Sequence, residues 1–166
     1  MKDDYYWFWI NNITGIANIK LRYLFKVFDT PEDIYKASDK MFEGVMGIKP
    51  DDIYSIKESR KSEYIYREYS ELDKNIKFTY PGKYNYPERL MNIYDYPYII
   101  YYKGSLPQSD VPSVAIVGAR NCTEYGRSVA GRFAEDFVDM GIQVISGMAL
   151  GIDAAAQKGA VRKGGY

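Results

Sequence analysis

The sequence predicts the α/β fold class: a small N-terminal helical bundle followed by an incomplete three-layer α/β domain with a mostly parallel sheet. Two stretches near the end of the chain carry this prediction. Residues 114–120 and 143–153 each show a buried-strand pattern that runs into a turn of small residues and then a helix. In α/β proteins such junctions place backbone N–H groups and the positive end of a helix dipole at the carboxyl edge of the sheet. The chemistry expected at that edge is anion recognition.

The composition excludes several classes of function. Lys and Arg together balance Asp and Glu at 22 each, so the whole chain carries no charge that would attract nucleic acid or membrane from a distance. A single cysteine excludes an internal disulfide, and the absence of histidine removes the commonest metal ligand and general base. We therefore expect no catalytic residue, no metal site and no cofactor. No apolar run approaches the ~20 residues of a membrane helix and no signal peptide is evident, so we expect a cytoplasmic protein without a membrane partner.

Residues 1 to about 60 are expected to form short helices. Apolar side chains recur at helical spacing in 18–28, and residues 30–33 supply an N-cap, a proline at the first helical position and an acidic residue three beyond the cap. Glycine-containing turns at 14–16 and 46–48 resemble those of helix-hairpin-helix or sterile-alpha-motif-like (SAM-like) bundles. Such a turn sometimes grips a DNA phosphate through its backbone N–H groups, but a glycine there is more often only a helix C-cap.

The middle of the chain is expected to contain the domain boundary. The charged stretch 51–74 predicts one long helix, and the stretches 76–80 and 98–104 predict two strands. Because the boundary is expected in or just after the long helix, the predicted domains are residues 1–74 and residues 75–166.

From residue 113 onward the pattern of strand, loop and helix occurs twice. Residues 126–140 form the first predicted helix, with an apolar stripe suited to covering a sheet, and residues 152–162 form the second, with a face of small residues. The chain stops at 164–166, where a further strand is expected to begin. We therefore expect a truncated chain.

The first strand-to-helix loop has residues suited to binding phosphate. Gly118 is expected to let a ligand approach the backbone closely, and Gly126 permits tight entry into the helix. Arg120 would project a planar, permanently charged fork that matches a phosphate diester. Thr123 could cap the helix or donate its hydroxyl to the same phosphate. The competing interpretation is a plain turn with a solvated Arg120.

The second loop, residues 146–153, is again built from small residues, and Ser146 offers a hydroxyl beside the opening of the next helix. Asp153 is assigned a structural role, because no second acid, base or metal set accompanies it. Its carboxylate could stabilise the helix N-terminus or accept backbone hydrogen bonds that fix the loop. Two phosphate-sized pockets at one sheet edge favour a polymer or a nucleotide as the ligand.

These two loops, with residues 86–90, 98–106 and the alanine run at 154–156, resemble the DNA-processing protein A family, also called DprA or Smf. The resemblance implies a SAM-like or helix-hairpin-helix-like domain before an extended Rossmann-like DNA-binding domain. It also implies a binding protein and not an enzyme. Family members bind single-stranded DNA, protect it and help to load the RecA recombinase during natural transformation.

The resemblance also assigns the binding residues. The arginine that matches Arg120 contacts DNA in the family, and the loop that matches 146–153 lies against the same pocket. Further basic contacts, the RecA contacts and the surface of a homodimer are expected in a C-terminal part that is missing here. The sequence departs from the family at Ala119, Leu150 and Gln157, where Ser, Arg and His are frequent. The expected DNA-binding and phosphate-binding residues are Gly118, Ala119, Arg120, Thr123, Tyr125, Gly126, Ser146, Gly147 and Gly151, with Asp153 structural.

Three other interpretations compete with this one. A phosphoribohydrolase-like (LOG-like) Rossmann enzyme would need a Pro-Gly-Gly-x-Gly-Thr stretch with a nearby catalytic Glu, and the sequence has none. An NAD site would need a three-glycine spacing and a later acidic residue, which residues 118–126 lack. The third interpretation makes the first 75 residues a protein-interaction or duplex-DNA module, and binding by a fragment ending near Lys74 would support it.

Overall fold

Seven α-helices and four short strands make up the part of the chain that a computed structural model describes, residues 2–165. The chain forms two compact units, one extending to Gly104 and the other beginning at Ser105. The elements of the first unit are α1 (Lys2–Asn11), α2 (Asn18–Leu24), α3 (Pro31–Lys36), α4 (Pro50–Ser59), α5 (Glu63–Ser70), β1 (Lys77–Thr79) and β2 (Ile100–Tyr102). Those of the second are β3 (Ser113–Ala115), α6 (Glu124–Asp139), β4 (Gln143–Ile145) and α7 (Ile152–Arg162). The predicted α/β fold class is confirmed.

The first unit closes around an aromatic and aliphatic core. Trp9, Leu24 and Ile34, from three different helices, are completely buried in it. The start of α3 is fixed locally, because the Thr30 hydroxyl accepts the Asp33 N–H at 3.1 Å while the Asp33 carboxylate accepts the Thr30 N–H at 3.0 Å. This reciprocal capping box is the one that residues 30–33 predict.

Both glycine turns of the first unit have structural reasons for their glycine. Gly15 and Gly47 have positive φ angles of 85° and 78°, and a Cβ on Gly47 would lie 2.6 Å from the Tyr23 ring. Lys20 braces the first turn by donating to the Gly15 carbonyl oxygen and to the buried Asp52 carboxylate, each at 2.7 Å. Burial opposes ionisation of Asp52, but the bonds from Lys20 and from the Lys49 N–H hold its pKa below the usual value.

The long helix predicted for 51–74 is wrong, because the structure has two helices, α4 and α5, with a break between them. The Ser62 hydroxyl caps α5 by accepting the Ile65 N–H at 3.3 Å. The break is also held from outside: the Tyr35 hydroxyl donates to the Arg60 carbonyl oxygen, and the Arg60 guanidinium donates to the Ile34 carbonyl oxygen. In a continuous helix the Arg60 carbonyl oxygen would accept a backbone N–H from four residues further along the chain. Here it accepts the Tyr35 hydroxyl instead.

The β1–β2 pair is antiparallel, with Phe78 opposite Tyr101. It belongs to the first unit because Phe78 packs against the core and Tyr98, just before β2, is buried in it. The division by packing therefore falls after Gly104, later than the boundary expected at residue 74. The predicted strands at 76–80 and 98–104 are confirmed in shorter form.

The second unit is built on a parallel pair of strands, β3 and β4, in which Val114 lies opposite Val144. Its core is made of small residues, with Ala134 from α6 and Ala156 from α7 completely buried beside Val144. The two helices approach so closely that a Cβ on Gly159 would overlap the Gly131 carbonyl oxygen. Beyond this strand pair, the three-layer arrangement stays a prediction. Within residues 2–165, none of the helices has the length and apolar character needed to cross a bilayer.

Candidate functional site

The two strand-to-helix loops of the second unit meet at one edge of the strand pair, because β3 and β4 are parallel and both loops follow their carboxyl ends. The buried Asp153 carboxylate lies between them. One of its oxygens accepts the Gly118 N–H of the first loop at 3.1 Å, and the other accepts the Gly147 N–H of the second loop at 3.0 Å. The Ile152 N–H, at the start of α7, donates to the Ala119 carbonyl oxygen at 3.2 Å. The loops are thus fastened to each other and to one helix N-terminus.

The glycines of these loops are required by packing within the protein. A Cβ on Gly118 would come within 2.8 Å of the Ile152 side chain, and one on Gly147 would lie 2.9 Å from the Asp153 carboxylate. Gly151 has a φ of +84°, and its Cβ would overlap the Ala119 carbonyl oxygen. The sequence predicts that Gly118 is small so that a ligand can approach. In the structure, the Ile152 side chain fills the space beside Gly118 and explains why the residue is small.

Asp153 also changes which groups are available to a phosphate. The N–H groups of Gly118 and Gly147 already donate to its carboxylate, so they are not the free donors that a plain strand-to-helix turn offers. Phosphate contact through these two residues stays a prediction. The structure shows a loop pair joined by hydrogen bonds to one carboxylate, which fixes the backbone positions from which the loop side chains project.

The displayed polar side chains are Arg120 and Thr123. Arg120 is exposed, and within residues 2–165 its guanidinium forms no ion pair. The Thr123 hydroxyl accepts the Gly126 N–H at 3.1 Å and so caps α6, and its own O–H proton is not used in that bond. One permanent cation and one hydroxyl donor therefore stand at the start of α6, where the helix dipole favours an anion.

Ser146 differs from the expectation that it offers its hydroxyl to a ligand. Its Oγ atom is shielded from solvent and has no hydrogen-bond partner among the described residues. A ligand cannot reach this oxygen while the second loop holds its present conformation. Ser146 remains a predicted site residue whose hydroxyl points to the interior.

Large apolar side chains surround the loop pair. Tyr125, Met148 and Leu150 are 79%, 82% and 76% exposed. Met148 is the one described non-glycine residue with a positive φ, 57°, a conformation that L-residues adopt at a cost. Sequence reasoning missed Met148, because nothing in the residue type indicates the backbone conformation that turns it outward. These surfaces can pack against flat organic rings such as nucleobases.

The described residues contain no convergent group of three or more acidic or cysteine side chains that could hold a metal ion. Cys122 is half-buried in the first loop and has no disulfide partner. The two loops supply a positive charge, a hydroxyl and apolar surface, and groups of these kinds can bind a ligand.

The fold and the loop pair define an α/β protein that presents an exposed arginine at the carboxyl edge of a parallel strand pair. Comparisons with known proteins place it more narrowly. The sequence model of the family "DNA recombination-mediator protein A" matches residues 77–166. The chain therefore belongs to this DprA/Smf family, and the predicted family is confirmed.

Individual relatives agree with this assignment. The chain is 30% identical to Protein Smf of Synechocystis sp. over 96% of its own length and 42% of that protein's. It is 38% identical to DNA processing protein DprA of Streptococcus pneumoniae over 48% of its length and 28% of the relative's. The X-ray structure of the Streptococcus pneumoniae protein has the same fold, with a TM-score of 0.69 at 24% identity, covering 97% of this chain and 55% of that one. The chain thus spans only part of these relatives, with sequence matches over 42% and 28% of the two curated proteins and a structural match over 55% of the solved chain.

Proposed function

We propose that this protein binds single-stranded DNA at the loop pair of its second unit. The observation that carries the proposal is the exposed Arg120, which has no ion-pair partner within the described residues and stands on loops that Asp153 fastens together. A guanidinium can bind a phosphate diester through two parallel N–H···O bonds, and its planar fork loses less side-chain freedom per bond formed than a lysine does. The relatives are named DNA processing proteins, which supports DNA as the polymer.

The chemistry of binding follows from the residues at this edge. Arg120 and the Thr123 hydroxyl hold phosphate oxygens at the start of α6, where the helix dipole adds a favourable field. Tyr125 and Met148 expose surface on which unstacked bases can pack. Every base can pack in this way, because every base has a flat face. Binding is therefore tolerant of sequence and decreases steeply with salt, since each bound phosphate releases counterions.

In the cell, the proposed role is that of a DNA-processing factor in recombination. The protein would protect incoming single-stranded DNA in the cytoplasm and help to load RecA recombinase during natural transformation, and it would act without catalysis. RecA contacts and a homodimer surface are proposed for the part of the family fold that lies beyond this chain. Family membership supports this role.

The experiment is fluorescence anisotropy with a labelled oligo-dT strand, titrated with the parent chain, Arg120→Ala and Arg67→Ala. Arg67 is an exposed arginine on α5, so its replacement removes the same charge from the first unit and serves as the matched control. We expect Arg120→Ala to weaken binding by about 1.5 to 3 kcal/mol, the scale of a lost charge-assisted hydrogen bond, and Arg67→Ala to bind like the parent.

Two outcomes contradict the proposal. Equal binding by the parent and Arg120→Ala removes the loop pair as the site, and a loss in Arg67→Ala alone moves the site to the first unit.

Release of a base from nucleoside monophosphates, the reaction of the LOG-like alternative, is expected to be absent. Turnover that Arg120→Ala abolishes would identify an enzyme instead.

A further inference from the structure

A groove runs between the outer sides of α6 and α7, separate from the loop pair. It encloses about 450 Å³ and is lined by Arg127, Arg132, Lys158 and Arg162, with Gly131 and Ala155 among its small residues. We call it the basic groove. The two helices contact each other through Gly131 and Gly159, and the long side chains that line the groove come from both helices.

The groove concentrates the positive charge of the second unit. This unit has six basic residues, at positions 120, 127, 132, 158, 162 and 163, and four of them line the groove. The other two are Arg120, in the first loop, and Lys163, which pairs with Asp139 at 2.7 Å. In a chain with a formal net charge of +0, this is a local field of the kind that polyanions recognise.

Acidic residues compensate only part of this charge. Glu124 pairs with Arg127 at 3.4 Å and Glu135 pairs with Arg162 at 3.5 Å, and such exposed pairs are worth little. Within residues 2–165, Arg132 and Lys158 have no ion-pair partner. The four cations and two carboxylates that line the groove leave an excess of two positive charges at these two residues.

The groove begins where the loop pair ends. Glu124 and Ala154, which line it, lie at the starts of α6 and α7, directly after the two loops. From Ala154 the lining continues along α7 to Arg162, a path of about 12 Å at ~1.5 Å per helical residue. The groove therefore begins next to the loop that carries Arg120, and its cations lie beyond that loop, Arg127 and Arg132 on α6 and Lys158 and Arg162 on α7.

We infer that the basic groove binds the sugar–phosphate backbone of the DNA strand as it leaves the loop pair, with Arg132 and Lys158 as the phosphate contacts. This inference rests on the proposed function and extends its site. Small residues in the lining let the backbone approach, and unpaired cations without an apolar pocket suit phosphates better than the side chains of a folded partner. Arg132 and Lys158 hold the strand in place without reading its bases.

The test compares the double variant Arg132→Gln/Lys158→Gln with a control, Lys40→Gln/Lys74→Gln, in which two exposed lysines of the first unit are neutralised. Glutamine keeps high helix propensity, so α6 and α7 are retained. Affinity is measured by anisotropy for a short and a long oligo-dT, about 2 and about 20 nucleotides, over a range of salt concentrations, since each phosphate contact on a single strand contributes about 0.7 to the salt slope.

For the long strand, we expect the groove variant to lose about 1.4 from the slope of log K against log salt, the contribution of two contacts. Between about 50 and 200 mM salt, the parent then loses about sevenfold more affinity than the variant. The short strand is expected to bind the parent and the groove variant alike, whereas Arg120→Ala weakens both strands. The control is expected to keep the slope of the parent.

Every other result contradicts either the groove inference alone or the proposed function as well. An unchanged slope in the groove variant, with the parent binding DNA and Arg120→Ala weakened, overturns the groove inference alone. Absence of binding by the parent overturns the proposed function and this inference with it. Poly-L-glutamate serves as a probe for an acidic protein segment. If the groove variant loses affinity for poly-L-glutamate and keeps its DNA slope, the occupant is a protein and the inference is wrong.

Discussion

The two units differ in what they bury. Among residues 2–165, fifteen buried residues form the core cluster of the first unit, including Trp9, Phe8 and Phe28, whereas the corresponding cluster of the second unit holds Ala134, Val144, Ala156 and Ala160. Apolar burial stabilises at about 25 cal/mol per Å², so large aromatic side chains contribute far more than alanines. The first unit therefore has the larger hydrophobic stabilisation, and the second depends on close backbone packing and on hydrogen bonds between loops.

The units also differ in what they expose. Both units expose large apolar side chains, Tyr54 and Tyr84 among those of the first, but those of the second include Tyr125, Met148 and Leu150 on or next to the two loops that carry Arg120. In the first unit, Lys20 is instead used in an internal ion pair with the buried Asp52. Loops that present functional side chains on a supporting framework are the usual site of recognition. The comparison suggests that stability resides mainly in the first unit and recognition in the second.

The largest effect is expected from Trp9→Ala in the first unit. The ring is completely buried, packs edge-on against Tyr35 at 4.8 Å between centroids, and donates its indole N–H to the Ser59 hydroxyl at 3.0 Å. Truncation should lower the free energy of unfolding by about 3 to 5 kcal/mol. Urea denaturation followed by circular dichroism measures this, with the exposed Tyr84→Ala as a near-neutral control. A loss below that of the control variant would contradict the stabilising role of the aromatic core.

The next effect is expected in the second unit from Gly151→Ala. The new Cβ would overlap the Ala119 carbonyl oxygen at a residue with a φ of +84°, so it adds a clash to a backbone strain of about 1 to 3 kcal/mol. We expect a loss of at least about 2 kcal/mol, confined to the second unit when hydrogen exchange is followed segment by segment. Gly15 also has a positive φ, but a Cβ there would meet no atom within 4 Å. The variant Gly15→Ala therefore measures the backbone strain without the clash. Equal losses in the two variants would show that the loop contact is unimportant.

A smaller effect is expected from Asp153→Asn. The amide retains one acceptor oxygen, but its NH₂ group then faces an N–H donor, either that of Gly118 or that of Gly147. Leaving a buried donor without a partner costs about 1 to 3 kcal/mol, so the loops should loosen and DNA affinity should fall with stability. Thermal unfolding and oligo-dT anisotropy are measured on the same samples. Full stability together with full affinity would mean that Asp153 does not fasten the loops.

The smallest effect at neutral pH is expected from Tyr86→Phe, which removes the bond that the hydroxyl donates to the Pro97 carbonyl oxygen at 2.6 Å, worth about 1 kcal/mol. Burial, with a smaller effect of Tyr96, raises the pKa of Tyr86 from 10.0 to about 12. Its contribution is therefore complete below pH 10 and is lost as pH rises from there through the folded pKa of about 12. Unfolding free energies measured from pH 8 to pH 12 should fall less steeply in the variant, and parallel curves would contradict this.

Local signals predicted much of the fold. The capping box at Thr30 and Asp33, the helix that covers 152–162 and the parallel strand pair all follow from residues close together in sequence. The break between α4 and α5 could not be predicted in that way. It depends on bonds from Tyr35 and to Ile34, which lie far away in the sequence. A charged stretch that can form one helix was divided by tertiary contacts that its own pattern does not encode.

The sequence predicted which residues form the candidate site, but not the contacts that hold them in place. The positions of Arg120, Thr123 and Asp153 at two neighbouring loops follow from the strand-to-helix pattern. The sequence could not show that Ile152 fills the space beside Gly118, or that Asp153 uses the N–H groups of both loops. It also gave no sign of the basic groove, because Arg132 and Lys158 come together only when α6 packs against α7.

The most direct test of the central claim is hydrogen–deuterium exchange of the full chain with and without oligo-dT, read out by peptide mass spectrometry. DNA held by the loop pair is expected to slow exchange in residues 116–126 and 146–152, with little change in the peptides of the aromatic core, which exchange slowly from the start. Slowed exchange confined to the first unit, with both loops unchanged, would contradict the division of stability and recognition between the two units.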